Sequence, residues 1–506
     1  MTTEIQEVES KFEATPGFEL PVLDGLPQVA DVSRGEVETL TAEYYDTEDL
    51  RLIRAGITLR RREGGADEGW HLKLPDGKPS SRRELRAPLG NTVPDELARL
   101  VRGHARGAAL RPVARVETRR RTTTLRDSAG NSLAEIAEDD VTAQSLGSAT
   151  TVSRWNEVEA ELTGGPPRLL RAVDKRLNDA GLRPGMTATK VQRALATSLP
   201  RPTGSPDKLN TGSPSGEVVM AYLGEQAAKL KALDTAVRRD EPDAIHQMRV
   251  TARRLRSTLQ SFPMIWLPST TDHVKDELKW LGQVLGEARD TEVLSEYFRA
   301  ALAGVPAELM LGPARARVTK YFAGRGGEAV RTVREALDSR RYFKLLDELD
   351  LLAGELPRTP AARAPAREIL PDAVARTYRR TKRRMRRARQ APAGSRRDAA
   401  LHETRKAAKR ARYAAEAVAP VFGKRARRFA KRMKAIQSAL GEHQDAVTAR
   451  GVARDIGIQA HMAGENGFTF GLLLERAHRG AQDIQPRARR AWKRAKRRKS
   501  LSWLAR

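Results

Sequence analysis

The stretch EVESKFE, residues 7–13, places Glu7, Glu9, Lys11 and Glu13 on alternate positions with Val8, Ser10 and Phe12 between them. In a β-strand that spacing sends every charged side chain to one face and the apolar ones to the other. A strand that collects carboxylates and an ammonium on one face either exposes that face to water or lines a polar cavity with it.

Neighbouring stretches repeat the pattern. Arg60 and Arg62 share a face in TLRRRE, His71 and Lys73 in WHLKLP, and Arg115, Glu117, Arg119 and Arg121 in RVETRRR. The acidic counterparts are Glu135 and Asp139 in AEIAEDD and Glu157, Glu159 and Glu161 in NEVEAEL. Like charges gather in separate strands, and an outward face seldom needs so many arginines, so the cavity reading gains on the solvated one. Inward Arg and Lys would clamp a polyanion, Arg with paired donors and Lys as a point charge. Carboxylates beside that anion make sense when a hard cation lies between them, as Mg²⁺ does beside phosphates.

Turn signals such as GGADEG, PDGKPSS and SAGN separate these short alternating runs, with few helical patterns among them. Residues 1–200 therefore predict an antiparallel sheet or barrel with peripheral helices. A run rich in Pro, Gly, Ser and Thr follows, and 201–216 reads as a flexible linker. From 217 to 506 nearly every segment is apolar at helical spacing, which predicts an all-α domain and a multidomain α+β chain.

Charge divides at the same boundary. Residues 1–200 hold 29 Lys and Arg against 31 Asp and Glu, while residues 201–506 hold 63 against 33. The halves must meet different partners, and the second must meet an anion. The chain has no cysteine, which removes disulfides, thiolate metal sites and thiol nucleophiles. With no apolar leader and no run of about eighteen apolar residues, the expectation is a cytoplasmic protein with no membrane partner.

The helical half repeats itself. DAIHQMRVTARRLRSTLQSF (243–262) and LKWLGQVLGEARDTEVL (278–294) have counterparts in AALHETRKAAKRARYAAEAV (399–418) and MKAIQSALGEHQDAVTA (433–449). Two blocks matched at nearly one spacing imply a duplicated unit, about 217–360 and 370–506, around a pseudo-twofold axis. In the first copy His246, Arg249, Arg253 and Arg256 form one helical stripe; in the second His402, Arg405, Lys409 and Arg412 repeat it. Such stripes favour anion binding over metal ligation, since cations crowd the histidines and no acid or second His completes a ligand set.

EVESK resembles the ExExK signature of the CYTH superfamily, the triphosphate tunnel metalloenzymes. YYDTEDLRLIRAGITLRRR, WHLKLP, the EVE of WNEVEAEL and TATKVQRAL follow in that family's order. The resemblance implies an eight-stranded antiparallel barrel forming a tunnel for triphosphates, with Mg²⁺ or Mn²⁺. It implies metal-side carboxylates at Glu7, Glu9, Glu157 and Glu159, with Asp139, although Glu159 and Glu161 fit the second pair equally well. It implies a phosphate clamp of Lys11, Arg60, Arg62, Lys73, Arg115, Arg119 and Lys190, with Thr189-Lys190 standing where Ser-Lys is usual. Glu7, Glu9, Lys11 and Lys73 are the expected catalytic residues.

The histidine blocks resemble the CHAD domain. That implies two four-helix units around a basic cavity that binds inorganic polyphosphate, with polyphosphate granules as a place of association. Hydrolysis of inorganic triphosphate, short polyphosphate or a nucleoside triphosphate is the leading activity. ATP cyclisation and a binding-only role are alternatives. Nucleic acid is a rival ligand that is not favoured, because base-stacking aromatics are not interleaved with the basic residues.

Overall fold

The apolar positions of the charged strands decide which way the barrel faces. The structure, a computed structural model, describes residues 3–76, 81–147, 150–185, 189–199, 208–354, 359–497 and 501–504. It forms two compact units, Met1–Ser205 and Pro206–Arg506.

The first unit is a closed antiparallel barrel of β1 (Thr3–Ala14), β2 (Asp31–Asp46), β3 (Thr58–Glu63), β4 (Gly69–Pro75), β5 (Ser81–Ala87), β6 (Arg111–Arg126), β7 (Ser132–Ser145) and β8 (Val152–Leu162). The strand order is β5-β4-β3-β2-β6-β7-β8-β1. The β1–β5 pairing closes the ring, and a two-residue β9 (Arg183–Pro184) adds to β1. Strand β1 does double duty: Thr3–Val8 pair with β5 and Glu9–Ala14 with β8.

Phe12, Ile136, Val158 and Ala160 pack outward beneath α3 (Pro167–Asp179), and Leu59, Trp70, Leu72 and Leu85 pack outward beneath α2 (Asp95–Ala105). The alternate residues must then point into the barrel, because a one-residue slip would exchange the faces. Short α1 (Arg51–Arg54) joins the α2 side. Helix α4 (Lys190–Ala194) has a different place: Val191, Ala194 and Leu195 pack against Tyr44, Val116, Val141 and Trp155, which face inward.

The second unit contains α5 (Ser215–Arg238), α6 (Ala244–Ser261), α7 (Pro268–Ala303), α8 (Ala314–Leu337), α9 (Arg340–Ala353), α10 (Pro360–Arg363), α11 (Ala366–Gln390), α12 (Ser395–Met462) and α13 (Phe468–Ala495). Helix α12 is two helices joined at a break: Gly423 has φ 58° and ψ −135°, three residues after Pro420. Its two segments, with α11 and α13, correspond to α6, α7, α5 and α8; α9 and α10 belong to the first copy alone. The copies meet where Ser215 N donates to Ala364 O and Ala366 N donates to Ser213 O, both at 2.8 Å, immediately before α5 and α11. Those reciprocal bonds mark the pseudo-twofold axis.

Residues 201–207 of the expected linker lie outside the described residues. Its last part is not free: Leu209 packs on the helical core, and Ser213 belongs to the reciprocal bridge. Among the described residues no helix is long and apolar enough to cross a membrane.

Candidate functional site

Three inward carboxylates at one end of the barrel, Asp139 on β7 and Glu157 and Glu159 on β8, bring oxygens within 4.8 Å of one another. Three cations answer them. Lys190 Nζ lies 3.0 Å from Asp139, 2.5 Å from Glu157 and 2.8 Å from Glu159. Arg120 Nη2 reaches Asp139 at 2.6 Å and Glu159 at 2.9 Å, and Lys11 Nζ reaches Glu159 at 2.5 Å and Glu9 at 3.5 Å. Burial alone would raise the Asp139 and Glu159 carboxyls, but it is outweighed by Lys190 and Arg120 at Asp139 and by Lys11 and Lys190 at Glu159, so both stay ionised. Thr189 explains how Lys190 is aimed: it caps α4, accepting from Gln192 N at 3.3 Å while Gln192 Oε1 accepts from Thr189 N at 2.8 Å.

A second group lies on β1, β3, β4 and β5. Lys73 Nζ is 2.8 Å from Glu7 and 3.7 Å from Glu84, whose other oxygen takes Arg86 at 2.6 Å. His71 Nδ1 lies 2.9 Å from Glu84, with its Nε2 2.8 Å from the Asp67 carbonyl; Arg60 stands 3.9 Å from Glu84, and Arg62 pairs with Asp67. Glu84 is fully buried; hydrogen bonding to His71 and the charges of Lys73 and Arg60 overcome that burial and hold its carboxyl well below the usual range. Arg62 is in the opposite condition. Burial, Arg60 and Arg120 push its pKa down to about 9, so an arriving anion would relieve it.

Arg115 and Arg119 are not part of this lining. They are exposed on the outer face of β6, and Arg120 is the β6 arginine in the barrel. Ala114, Val116 and Thr118 share Arg120's parity and fill the interior beside α4, so the alternate, charged parity is the one turned out. Arg119→Ala should leave melting temperature and ligand affinity unchanged. Arg120→Met should destabilise the barrel by about 3–5 kcal/mol by leaving Asp139 and Glu159 short of a partner. Parallel thermal melts check both.

In the helical unit a basic cleft of about 440 Å³ is lined by Arg249, Arg253 and Arg256 of α6 and by His402, Arg405 and Lys409 of α12. Lys406 and Arg410 add to it, and Asp290 and Asp445 are its acids. The glycine of each LGE block makes room for an arginine: a Cβ on Gly286 would lie 3.0 Å from Arg249, and one on Gly441 would lie 3.3 Å from Arg405. Arg249 then reaches Asp290 through Nη1 at 2.6 Å and Nη2 at 3.0 Å. His246 and Arg412 stand apart from the cleft. His246 lines a different cavity, while Arg412 is tied to Glu416 at 2.6 Å, one helical turn on. Tyr413 is buried, and Tyr378 stacks on Trp492 with ring centroids 6.0 Å apart, so neither offers a free face to a base.

The CYTH domain model matches residues 6–194, and the CHAD domain model matches residues 221–454. An uncharacterized protein of Mycobacterium tuberculosis is 39% identical over 489 residues, 93% of this chain and 92% of that protein. The chain belongs to the CYTH–CHAD family. Human thiamine-triphosphatase is 36% identical over 107 residues, 20% of this chain and 42% of that enzyme. PptA from Streptomyces chartreusis aligns with 56% of this chain and all of its own length, at 23% identity and a TM-score of 0.47.

CYTH proteins are metal-dependent, and the donor set of this CYTH barrel fits a hard divalent cation. Asp139, Glu157 and Glu159 offer converging oxygens, and the three cations that neutralise them show how much positive charge the trio demands. Two residues of the CYTH site carry little sequence signal. Glu84 sits between arginines in SRRELRA and reads as a rim charge, and Arg120 is the middle residue of an Arg triplet, where alternation favours either parity. In the CHAD half, Asp290 and Asp445 could have been found, because both close a repeated LGExxD.

Proposed function

We propose that the CYTH tunnel of this protein is a metal-dependent triphosphatase and that its CHAD half binds inorganic polyphosphate. The observation supporting the first part is the division of the tunnel lining. A carboxylate trio stands on β7 and β8, and Arg60, Arg62 and Lys73 stand on β3 and β4 beside the buried acids Glu7 and Glu84. Arg60, Arg62 and Lys73 would bind and align the phosphates, with Glu84 fixing Lys73 and His71 so that the clamp keeps its shape before ligand arrives. Asp139, Glu157 and Glu159, with Glu9 linked to them through Lys11, would hold Mg²⁺ or Mn²⁺, while Glu7 faces Lys73 of the clamp. Bound there, the ion supplies charge neutralisation at the phosphate oxygens. Lys11, Arg120 and Lys190 are already charged and positioned, so they would serve the phosphates once the carboxylates have another cation to face.

Lys190 also supports a second reading, a tunnel that binds without turnover, because its ammonium contacts all three carboxylates. Phosphate release from inorganic triphosphate, long-chain polyphosphate, ATP and thiamine triphosphate separates the two. We expect release from at least one, dependent on Mg²⁺ or Mn²⁺ and abolished by a chelator. Tight binding with no release from any of the four would leave the binding-only reading. For the CHAD half, the cleft has guanidinium and ammonium groups along both copies, which suits a flexible chain of about one charge per phosphate. A cytoplasmic protein of this kind would be drawn to polyphosphate granules.

A further inference from the structure

The duplication of the helical unit provides an internal control for one cavity. In the second copy, His443 Nε2 lies 3.3 Å from Asp398 Oδ1, Arg450 Nη2 lies 3.4 Å from Asp398 Oδ2, and Arg450 Nη1 lies 3.2 Å from His478 Nδ1. This polar chain fills the space between the start of α12, its second segment and α13.

The first copy has none of the four members. In register with Gly286 and Gly441, Ala288 stands where the second copy has His443, and Ser295 where it has Arg450. In register with the buried pairs Val318/Leu473 and Val333/Ala488, Ala323 stands for His478; in register with His246 and His402, Pro242 stands for Asp398. Pro242, Ala288, Ser295 and Ala323 all line one cleft of about 820 Å³ between the α5–α6 turn, α7 and α8. Where the second copy has four charged or ionisable side chains, the first has uncharged and mostly smaller ones, and a cleft lies among them. A cleft of that size falls in the range of small-molecule sites.

The lining says what kind of molecule fits. Ile245, Leu302, Val318 and Phe322 make an apolar wall that inorganic polyphosphate could not use. The acids at the rim already have cations: Glu292 lies 2.8 Å from Arg289, Asp243 lies 3.8 Å from Arg289, and Asp240 pairs with Arg334 at 2.6 Å. Arg299 and Arg315 also line the cleft and make no ion pair among the described residues. We infer that this cleft binds an amphipathic organic anion, its apolar or aromatic body against Phe322 and Val318 and its acidic head at Arg299 and Arg315. His246 on the wall is kept neutral by burial and by Arg289, which suits a hydrogen-bonding group beside an apolar body.

Anilinonaphthalene sulfonate, an aromatic anion whose fluorescence rises in apolar sites, tests this on the full chain. The expected result is saturable binding of about one equivalent. Ser295→Arg with Ala323→His, which refills the cleft from the second copy's sequence, should weaken it about tenfold or more with the melting temperature retained. The reciprocal exchange, His443→Ala with Arg450→Ser and His478→Ala, should open a second site and add a second equivalent. Arg299→Glu with Arg315→Glu should weaken the sulfonate but not the neutral phenylnaphthylamine. Non-saturable binding, or a refilled variant that binds as the wild type does, would overturn the inference.

Discussion

Metal-dependent phosphate release should fall by about 10²-fold or more in Glu159→Gln, and the barrel's melting temperature should fall with it. One carboxylate serves three cations here, at 2.5 Å from Lys11, 2.8 Å from Lys190 and 2.9 Å from Arg120. Its amide is isosteric but uncharged, so Lys190 and Arg120 would be left with Asp139 and Glu157, and Lys11 with Glu9 alone at 3.5 Å. Breaking a buried pair on one side costs about 3–5 kcal/mol, because the other side stays desolvated and unpaired. The loss has a signature that a simple packing defect would lack. Triphosphate added without metal brings back negative charge, so it should raise the variant's melting temperature more than the wild type's. Release within threefold of wild type would remove Glu159 from the chemistry.

Much of this site was legible in the sequence because alternation is unforgiving. With Val8 and Phe12 packed on the outer side of β1, Glu7, Glu9, Lys11 and Glu13 have only one place to point, and Glu161, Glu159 and Glu157 follow by pairing across from Glu9, Lys11 and Glu13. The same logic failed on β6. There both parities carry plausible residues, and the choice was settled by α4, whose Val191 and Leu195 need an apolar wall inside the barrel and take Val116 for it. That partner comes from about seventy positions down the chain, and no local pattern announces it.

The histidine stripes show the complementary limit. His246 and His402 occupy equivalent turns of duplicated helices, yet only His402 lines the basic cleft. Both helices keep the spacing of the stripe, but the packing opposite differs: the first copy has Ala288 where the second has His443, and Ser295 where the second has Arg450. Arg412 was separable by a finer reading. Glu416 sits four residues on, whereas the matching position after Arg256 is Gln260, which cannot neutralise it, and Arg256 is the one left in the cleft.

Polyphosphate binding by the CHAD half should take up a proton and weaken by up to about tenfold per pH unit between pH 6 and 8. The group responsible is Lys409. Burial, and then Arg253, Arg405, Arg249 and Arg412 around it, push its pKa down to about 6, so the free amine is largely neutral at pH 7. Asp290 of α7 and Asp445 of the second α12 segment are the acids of the same cleft, and Asp290 is already bound to Arg249. A polyanion laid across these groups favours the ammonium and returns the pKa toward its ordinary value. The sign follows: below the free pKa the amine is already charged and affinity is flat, while above it each pH unit adds the cost of protonation. Lys409→Arg carries a fixed charge and should flatten the profile, leaving the slopes contributed by His402, which burial and Lys406 also keep neutral, and by Asp445, whose carboxyl is raised by burial. Calorimetric titrations in two buffers of different ionisation enthalpy read the proton directly. Equal apparent enthalpies in both buffers at pH 7.5 would place Lys409 outside the ligand's field, and binding would then rest on the permanently charged arginines of α6 and α12.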